Sequence, residues 1–123
     1  MIDSNFVILY VNNPQVSTKF YESLLEKQPV ESSSTFAMFI LPCGMKLGLW
    51  SKHTVEPAAQ GCAGNGELVF SADSNEQVDA LYSLWRNNGL DILQQPVEMD
   101  FGYTFLALDP DGHRLRVYRL SME

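Results

Sequence analysis

The chain has 123 residues, of which 46% are hydrophobic and 19% charged, and its formal net charge is −7. This composition is typical of one globular domain, residues 1–123, and excludes a disordered chain. The acidic balance, without any run of Lys or Arg, argues against nucleic acid and anionic membrane surfaces as partners. No apolar run approaches the ~20 residues of a membrane span, and the N-terminus lacks a signal-peptide pattern. We therefore expect a cytoplasmic protein.

The two cysteines, Cys43 and Cys62, are 19 positions apart and form no CxxC pattern. A disulfide scaffold needs more cysteines, and a zinc site needs clustered ligands. Since free cysteine is among the most buried residue types, we expect two buried thiols.

The first half of the chain, about residues 6–51, predicts the order βαβββ. FVILYV, residues 6–11, has the composition of a buried strand. Asn13-Pro14 then begins a helix that runs to about Leu25. Three strands follow, at Val30 to about Ser34, Phe36–Leu41 and Lys46–Trp50. The apolar residues of the helix recur at i, i+4 and i+8 and predict one buried stripe, made of Val16, Phe20 and Leu24.

The second half, about residues 67–120, repeats this order after a glycine-containing linker at about 52–66. A strand at Glu67–Ala72 precedes a helix, which begins with a Ser74–Gln77 capping box. Gly89 marks the C-terminal end of this helix. The helix has one apolar stripe, made of Val78, Leu81, Tyr82 and Trp85. Three more strands are predicted, at Ile92–Val97, Tyr103–Asp109 and Arg114–Leu120.

The fold predicted from this repeat is α+β, with two βαβββ modules. Each module has a sheet with a helix on one side. We expect the two sheets to lie edge to edge as a curved mixed sheet, whose helix-free faces surround a concave cavity.

Alternate side chains of a strand point to opposite faces of the sheet, which divides the strand residues into two sets. The leucines and valines of β-strands such as VILYV and LGLW suit the helix-packed face. The other set is aromatic with a few charges, as in the lining of a binding cavity. From this set we predict nine ligand-binding residues: Phe6, Ile8, Tyr10, Gly48, Trp50, Glu67, Phe105, Arg116 and Tyr118.

Two phrases, VILYVNNPQVSTKFYESLL and FGYTFLALDPDGHRLRVYRL, resemble the vicinal oxygen chelate superfamily. This group includes glyoxalase I, extradiol dioxygenases, and the bleomycin and fosfomycin resistance proteins. Together with the LGLWSK strand, the second phrase looks most like the phenazine-type antibiotic resistance proteins, which bind and sequester a planar aromatic drug. The resemblance implies a homodimer, and the linker would permit an exchange of modules between chains.

Enzymes of this superfamily hold a divalent metal with four side chains from four strands. The resemblance places Phe6, Gly48, Glu67 and Arg116 at these four positions. Metal ligands must offer lone pairs, as His, Glu and Asp do. Of the four, only Glu67 does so. The sequence therefore predicts a protein without a metal, a cofactor or catalytic residues.

The preferred hypothesis is metal-independent binding and sequestration of a small hydrophobic aromatic molecule, such as a phenazine-like antibiotic. Trp50 is either a stacking surface for a flat ring or a filler of the core. Glu67 and Arg116 either form a structural pair or also contact the ligand.

Two alternatives stay open. One is a metal-dependent lyase or dioxygenase with displaced ligands, for instance Glu67 with His53 or Asp100. The other is an accessory domain that binds a protein through an exposed sheet edge. His113, in the DPDGH turn, is expected to be exposed to solvent.

Overall fold

The computed structural model describes residues 2–121, which divide into two compact units between Gly61 and Cys62. Each unit is one βαβββ module. The first contains β1 (Phe6–Val11), α1 (Pro14–Leu25), β2 (Glu31–Ser32), β3 (Phe36–Ile40) and β4 (Lys46–Ser51). The second contains β5 (Glu67–Ser71), α2 (Asn75–Asn87), β6 (Asp91–Met99), β7 (Gly102–Leu108) and β8 (Arg114–Leu120). The predicted α+β class with two βαβββ modules is confirmed.

Each unit has one four-stranded mixed sheet, and the strand order is the same in both. The orders are β1-β4-β3-β2 and β5-β8-β7-β6. In each, the first strand pairs in parallel with the last, and the remaining pairs are antiparallel. A parallel pair requires a crossover connection, and the helix with its two following strands provides it. The registers pair Tyr10 with Trp50 and Ser71 with Tyr118.

Helix α1 begins and ends close to the predicted residues, but its predicted buried stripe is wrong. The Asn13 side chain caps the helix by accepting hydrogen bonds from two backbone N–H groups. Val16, which was expected to be buried, is 52% exposed. The buried residues are Pro14, Ser17, Thr18 and Tyr21. These residues also follow the i, i+3, i+4, i+7 spacing of one helix face. Because two of them are small hydroxyl residues, the pattern of aliphatic side chains in the sequence did not identify this face.

Helix α2 follows its prediction more closely. Ser74 Oγ accepts the Gln77 backbone N–H at 3.1 Å. Gln77 Oε1 accepts the N–H of Asp73 at 2.6 Å, one residue before the expected capping-box partner. Val78 and Trp85 are buried on the predicted stripe. The φ of Gly89 is +89°, which favours glycine at this helix end.

The face predicted for Phe105 in β7 is wrong. Its ring is fully buried and packs edge-on against Tyr82 and Trp85 of α2, at 5.6 and 5.4 Å between centroids. The register pairs Phe105 with Val117, so both lie on the helix-packed face. Residues 104–107 are all buried. A strand that is apolar on both faces has no alternation from which the sequence can identify the inner face.

The prediction of two buried thiols is also wrong, since Cys43 and Cys62 are both exposed. Cys43 lies in the turn between β3 and β4, and Cys62 lies between β4 and β5, where connecting segments run over the surface. His113 is half-buried, whereas the sequence predicted exposure to solvent. Within residues 2–121, the helices are too short and too polar to cross a membrane.

Candidate functional site

The helix-free face of the first unit is an apolar and largely aromatic surface, which we call the aromatic face. Helix α1 packs on the other side of β3 and β4, over side chains such as Leu47 and Leu49 that are fully buried. The pairings of β1 and β3 with β4 place nine residues on the helix-free side: Phe6, Ile8, Tyr10, Phe36, Met38, Ile40, Lys46, Gly48 and Trp50. Five of these are predicted ligand-binding residues, and the structure brings them together.

Trp50 lies at the centre of an aromatic cluster on this face. Its ring contacts Tyr10 at 6.3 Å and Phe36 at 6.4 Å between centroids, with interplanar angles of 82° and 86°. These are edge-to-face contacts of the kind that aromatic pairs prefer. Ile8 and Tyr10 remain 42% and 44% exposed. Phe36 was not among the predicted residues, although the alternation in FAMFI places it opposite Trp50 once the hairpin register is known.

Gly48 lets two rings of the aromatic face approach the backbone closely. A Cβ atom at this position would lie 2.9 Å from Cε1 of Phe6 and 3.1 Å from Cζ of Phe36. Both distances are shorter than ordinary van der Waals contact, so these rings occupy the space that a side chain would need. The Lys46 Nζ lies 5.8 Å from the centroid of the Phe6 ring.

The helix-free face of the second unit is centred on a hydrogen-bonded ion pair, and we call it the arginine face. Arg116 of β8 binds the Glu67 carboxylate of β5 through Nε–Oε1 at 2.6 Å and Nη2–Oε2 at 2.9 Å. The two side chains are only 15% and 27% exposed. The hydrogen bonds from Arg116, helped by the charges of Arg116 and Arg114 and opposed by burial, lower the pKa of Glu67. The predicted pairing of these two residues is confirmed.

Two further polar groups, which the sequence did not identify, fix the Arg116 guanidinium. Its Nη1 donates to Gln94 Oε1 of β6 at 3.1 Å and to Thr104 Oγ1 of β7 at 3.2 Å. Thr104 is fully buried and donates its own proton to the Val117 carbonyl at 2.7 Å. Four of the five guanidinium N–H groups are therefore satisfied inside the unit.

Phe101 is a third residue that the sequence did not identify. It precedes β7, and its ring centroid lies 5.8 Å from the Arg116 guanidinium carbon and 6.2 Å from the Tyr118 ring. Its side chain stays 38% exposed. Tyr118 lies on the arginine face as predicted, since the register pairs it with Ser71 and Thr104. Phe105, by contrast, lies on the helix-packed side of the same sheet and is not part of this face.

The side chains that could bind a metal ion are not clustered in the part of the chain that the structure describes. Among residues 2–121, no three or more His, Cys, Asp or Glu side chains form a group that could hold a metal. His53 Nε2 lies 3.0 Å from Asn12 Oδ1 at the start of the linker, and Glu67 is bound by Arg116. Within the second unit, Glu67 and Asp100 belong to no such group.

A family model and a curated relative identify the family of the chain, and solved structures are similar to it in fold. The family model for the Glyoxalase/Bleomycin resistance protein/Dioxygenase superfamily matches residues 4–117. The phenazine antibiotic resistance protein EhpR of Enterobacter agglomerans is 31% identical over 123 residues, which cover 98% of this chain and 94% of that protein. A protein of Agrobacterium tumefaciens with a solution NMR structure is 55% identical, with a TM-score of 0.92 and coverage of 99% and 100% of the two chains. A glyoxalase-related enzyme from Fulvimarina pelagi is similar in fold, with a TM-score of 0.85, 18% identity and coverage of 97% and 88%.

Proposed function

The chain belongs to the glyoxalase/bleomycin resistance protein/dioxygenase superfamily, and from that premise we propose that it binds a small planar aromatic molecule without a metal ion. By binding the molecule the protein would sequester it, which is a route to antibiotic resistance. The similarity to a protein named for phenazine resistance supports this choice of ligand class.

The proposal rests on the residues that stand at the four positions where enzymes of this family carry their metal ligands. Phe6 has no lone pair to offer, and the space beside Gly48 is filled by the rings of Phe6 and Phe36. Arg116 is a cation and takes up both oxygens of Glu67. A divalent metal needs several oxygen, nitrogen or sulfur ligands. The residues at these positions do not fit a metal, so we assign no metal-dependent step to the protein.

The aromatic face supplies the binding surface in this proposal. Flat rings gain about 0.5–1.5 kcal/mol per aromatic contact beyond the burial of their area. Edge-to-face contacts with Tyr10 and Phe36 restrict the Trp50 ring, which therefore loses little freedom when a ligand stacks against it. Binding then requires no proton transfer and no covalent intermediate.

Titration with phenazine tests the proposal. We expect quenching of tryptophan fluorescence, a rise in melting temperature with phenazine concentration, and at least a tenfold weaker binding in Trp50→Leu. Trp50→Phe keeps an aromatic ring at the same position and is the matched control, which should lose less affinity than Trp50→Leu. Absence of quenching and of a melting shift across a panel of planar aromatic compounds would refute the proposal, and so would a stoichiometric metal in protein purified without chelator.

We also propose that the protein assembles with a second copy of itself, as the family resemblance implies. Light scattering coupled to size-exclusion chromatography measures the mass directly. The proposal requires a mass of twice the 13.9 kDa chain, and a monomer over the working concentration range would contradict it.

A further inference from the structure

We propose that Lys46 binds an acidic substituent of the ligand on the aromatic face, so that the preferred ligand is a planar aromatic molecule with a carboxylate at its edge. This inference rests on the proposed function and makes its ligand class more specific. All the residues that carry it belong to the first unit, and they lie on the same face as Trp50.

Lys46 is the one charged residue among the nine that form the aromatic face. It begins β4 and pairs in the sheet with Phe6 of β1 and Ile40 of β3. Its ammonium lies 5.8 Å from the centroid of the Phe6 ring, which is a cation–π distance. A lysine on an apolar face covers neighbouring side chains with its aliphatic stem and keeps its charged end accessible.

The Lys46 ammonium has donors left for a ligand. Within residues 2–121, the Lys46 side chain makes no hydrogen bond and no ion pair. Its contact with Phe6 is with the face of a ring, so none of its N–H groups is used on an oxygen or nitrogen acceptor. Lys46 is half-buried and therefore partly desolvated, and hydrogen bonds to a carboxylate would replace the water that it has lost.

A series of close contacts joins Lys46 to Trp50. The Phe6 ring beside the ammonium also covers Gly48, since its Cε1 lies 2.9 Å from the position of a Cβ atom there. From the other side, Cζ of Phe36 comes within 3.1 Å of the same position, and the Phe36 centroid is 6.4 Å from that of Trp50. The aromatic surface is therefore continuous between the ammonium and the indole.

The length of this surface suits a ligand of fused rings. Lys46 and Trp50 are four residues apart on one strand, which corresponds to about 13 Å between their Cα atoms. The lysine side chain spans part of this distance, because its ammonium lies near the Phe6 ring, which covers Gly48 midway along the strand. Rings stacked on Trp50 would thus bring a substituent at their edge within reach of the ammonium.

Two carboxylates near this face oppose the binding of an anion. Glu31 of β2 pairs with Met38 and is therefore on the same side of the sheet, but its Cα atom is about 12 Å from that of Lys46, because β2 is two strands away from β4. Asp3 is exposed before β1, and its carboxylate accepts the Ser4 N–H at 2.9 Å. At 0.1 M salt the screening length is about 10 Å. The charge of Glu31 and the net charge of −7 are then largely screened, whereas a carboxylate in contact with Lys46 is not.

The test compares the affinities of phenazine and phenazine-1-carboxylate for the purified full chain, measured by calorimetry at this salt concentration. We expect the carboxylate to bind about fivefold more tightly, as a partly exposed ion pair allows. In Lys46→Gln this ratio should fall to about one, whereas Lys46→Arg keeps the charge and should keep the ratio. Lys19→Gln is the matched control, because Lys19 is exposed on α1, on the other side of the sheet, and its loss changes the net charge equally.

The outcomes separate this inference from the function on which it rests. If neither compound binds to the natural chain, both proposals fail. If both bind with a ratio near one, or if Lys46→Gln and Lys19→Gln keep the same ratio, the protein binds aromatic molecules but the role of Lys46 is wrong. A ratio near one in Lys46→Arg would likewise exclude a role for the charge. Should Lys46→Gln fail to fold, Lys46→Met removes the charge from a side chain of similar shape, and an unchanged ratio in that variant would overturn the inference.

Discussion

Arg116 and Glu67 face each other diagonally across β8 and β5, joined by two parallel hydrogen bonds of 2.6 and 2.9 Å. In the ladder, the partner of Glu67 is Arg114, and the partner of Arg116 is Val69. The carboxylate thus reaches past its nearest arginine to the next one along the strand. This diagonal arrangement engages Arg116 and leaves Arg114 beside the pair with no hydrogen bond from its side chain to any of residues 2–121.

The first prediction concerns pH. Arg116 lowers the pKa of Glu67 below its ordinary value of 4.5, so the unfolded chain binds a proton more readily than the folded chain. The contribution of Glu67 to stability is therefore complete above pH ~4.5 and is lost as the pH falls through the folded-state pKa. We expect Glu67→Gln to lower the free energy of unfolding by about 1–2 kcal/mol at pH 7.

Urea unfolding of Glu67→Gln and the natural chain at several pH values between 3 and 7 measures this effect. The difference in the free energy of unfolding between the two proteins should shrink steadily below pH ~4.5, because Glu67 becomes protonated in the natural chain. The other carboxyl groups titrate in both proteins, so their effect cancels in the difference. Glu98→Gln is a suitable control, since it removes an exposed carboxylate from the same unit. A difference that stays constant over this pH range would contradict the assignment.

The second prediction concerns the close approach of rings to Gly48. Gly48→Ala places a methyl group within 2.9 Å of Phe6 and 3.1 Å of Phe36. The rings must move, and such overpacking costs about 1–3 kcal/mol. Gly66→Ala is the matched control, because its Cβ would meet no atom within 4 Å. Equal melting temperatures of the two variants would show that the rings do not depend on the glycine.

The third prediction separates the buried ring of β7 from the ring proposed to bind ligand. Phe105 is fully buried against Tyr82 and Trp85, so Phe105→Ala should cost about 3–5 kcal/mol of stability in urea unfolding. Trp50→Ala should cost less, because Trp50 is only half-buried, and should instead weaken the binding of phenazine. If Phe105→Ala were as stable as the natural chain but bound phenazine more weakly, the assignment of Phe105 to the helix-packed face would be wrong.

The sequence predicted the direction of the side chains correctly in strands whose two faces differ in polarity. In β8, arginines and a tyrosine alternate with Leu115 and Val117, so the arginine face and its pair with Glu67 were identified from the sequence. In β7 both sides are apolar, and the side of Phe105 was therefore predicted wrongly. In α1 the buried stripe contains Ser17 and Thr18, which the hydrophobic pattern does not identify.

The sequence did not identify the further hydrogen-bond partners of Arg116, for a different reason. Gln94 lies between two register shifts of β6, one after Ile92 and one before Val97. Such bulges change the side to which a residue points, and their positions depend on tertiary contacts. Thr104 was missed with the rest of β7, and Phe101 lies outside any strand. Side chains brought together by irregular backbone cannot be found by counting alternate positions.

The fourth prediction concerns the contact between α2 and β7. The Tyr103 hydroxyl donates to Asp79 Oδ1 at 2.7 Å. This hydrogen bond is the main cause that raises the pKa of Tyr103 above its ordinary value of 10.0. The contribution to stability is therefore present below pH ~10 and is lost as the pH rises through the folded-state pKa. We expect Tyr103→Phe to cost about 0.5–1 kcal/mol at pH 7.

Absorbance of the phenolate in alkaline titrations distinguishes this hydrogen bond from simple packing. In Asp79→Asn the neighbouring negative charge is removed, so Tyr103 should ionise at a lower pH than in the natural chain. Tyr118→Phe is the control for stability, because the Tyr118 hydroxyl makes no hydrogen bond within residues 2–121, and its removal should change the free energy of unfolding by less than about 0.5 kcal/mol. If Asp79→Asn leaves the titration of Tyr103 unchanged, the hydrogen bond does not control its pKa, and the link between α2 and β7 must depend on packing alone.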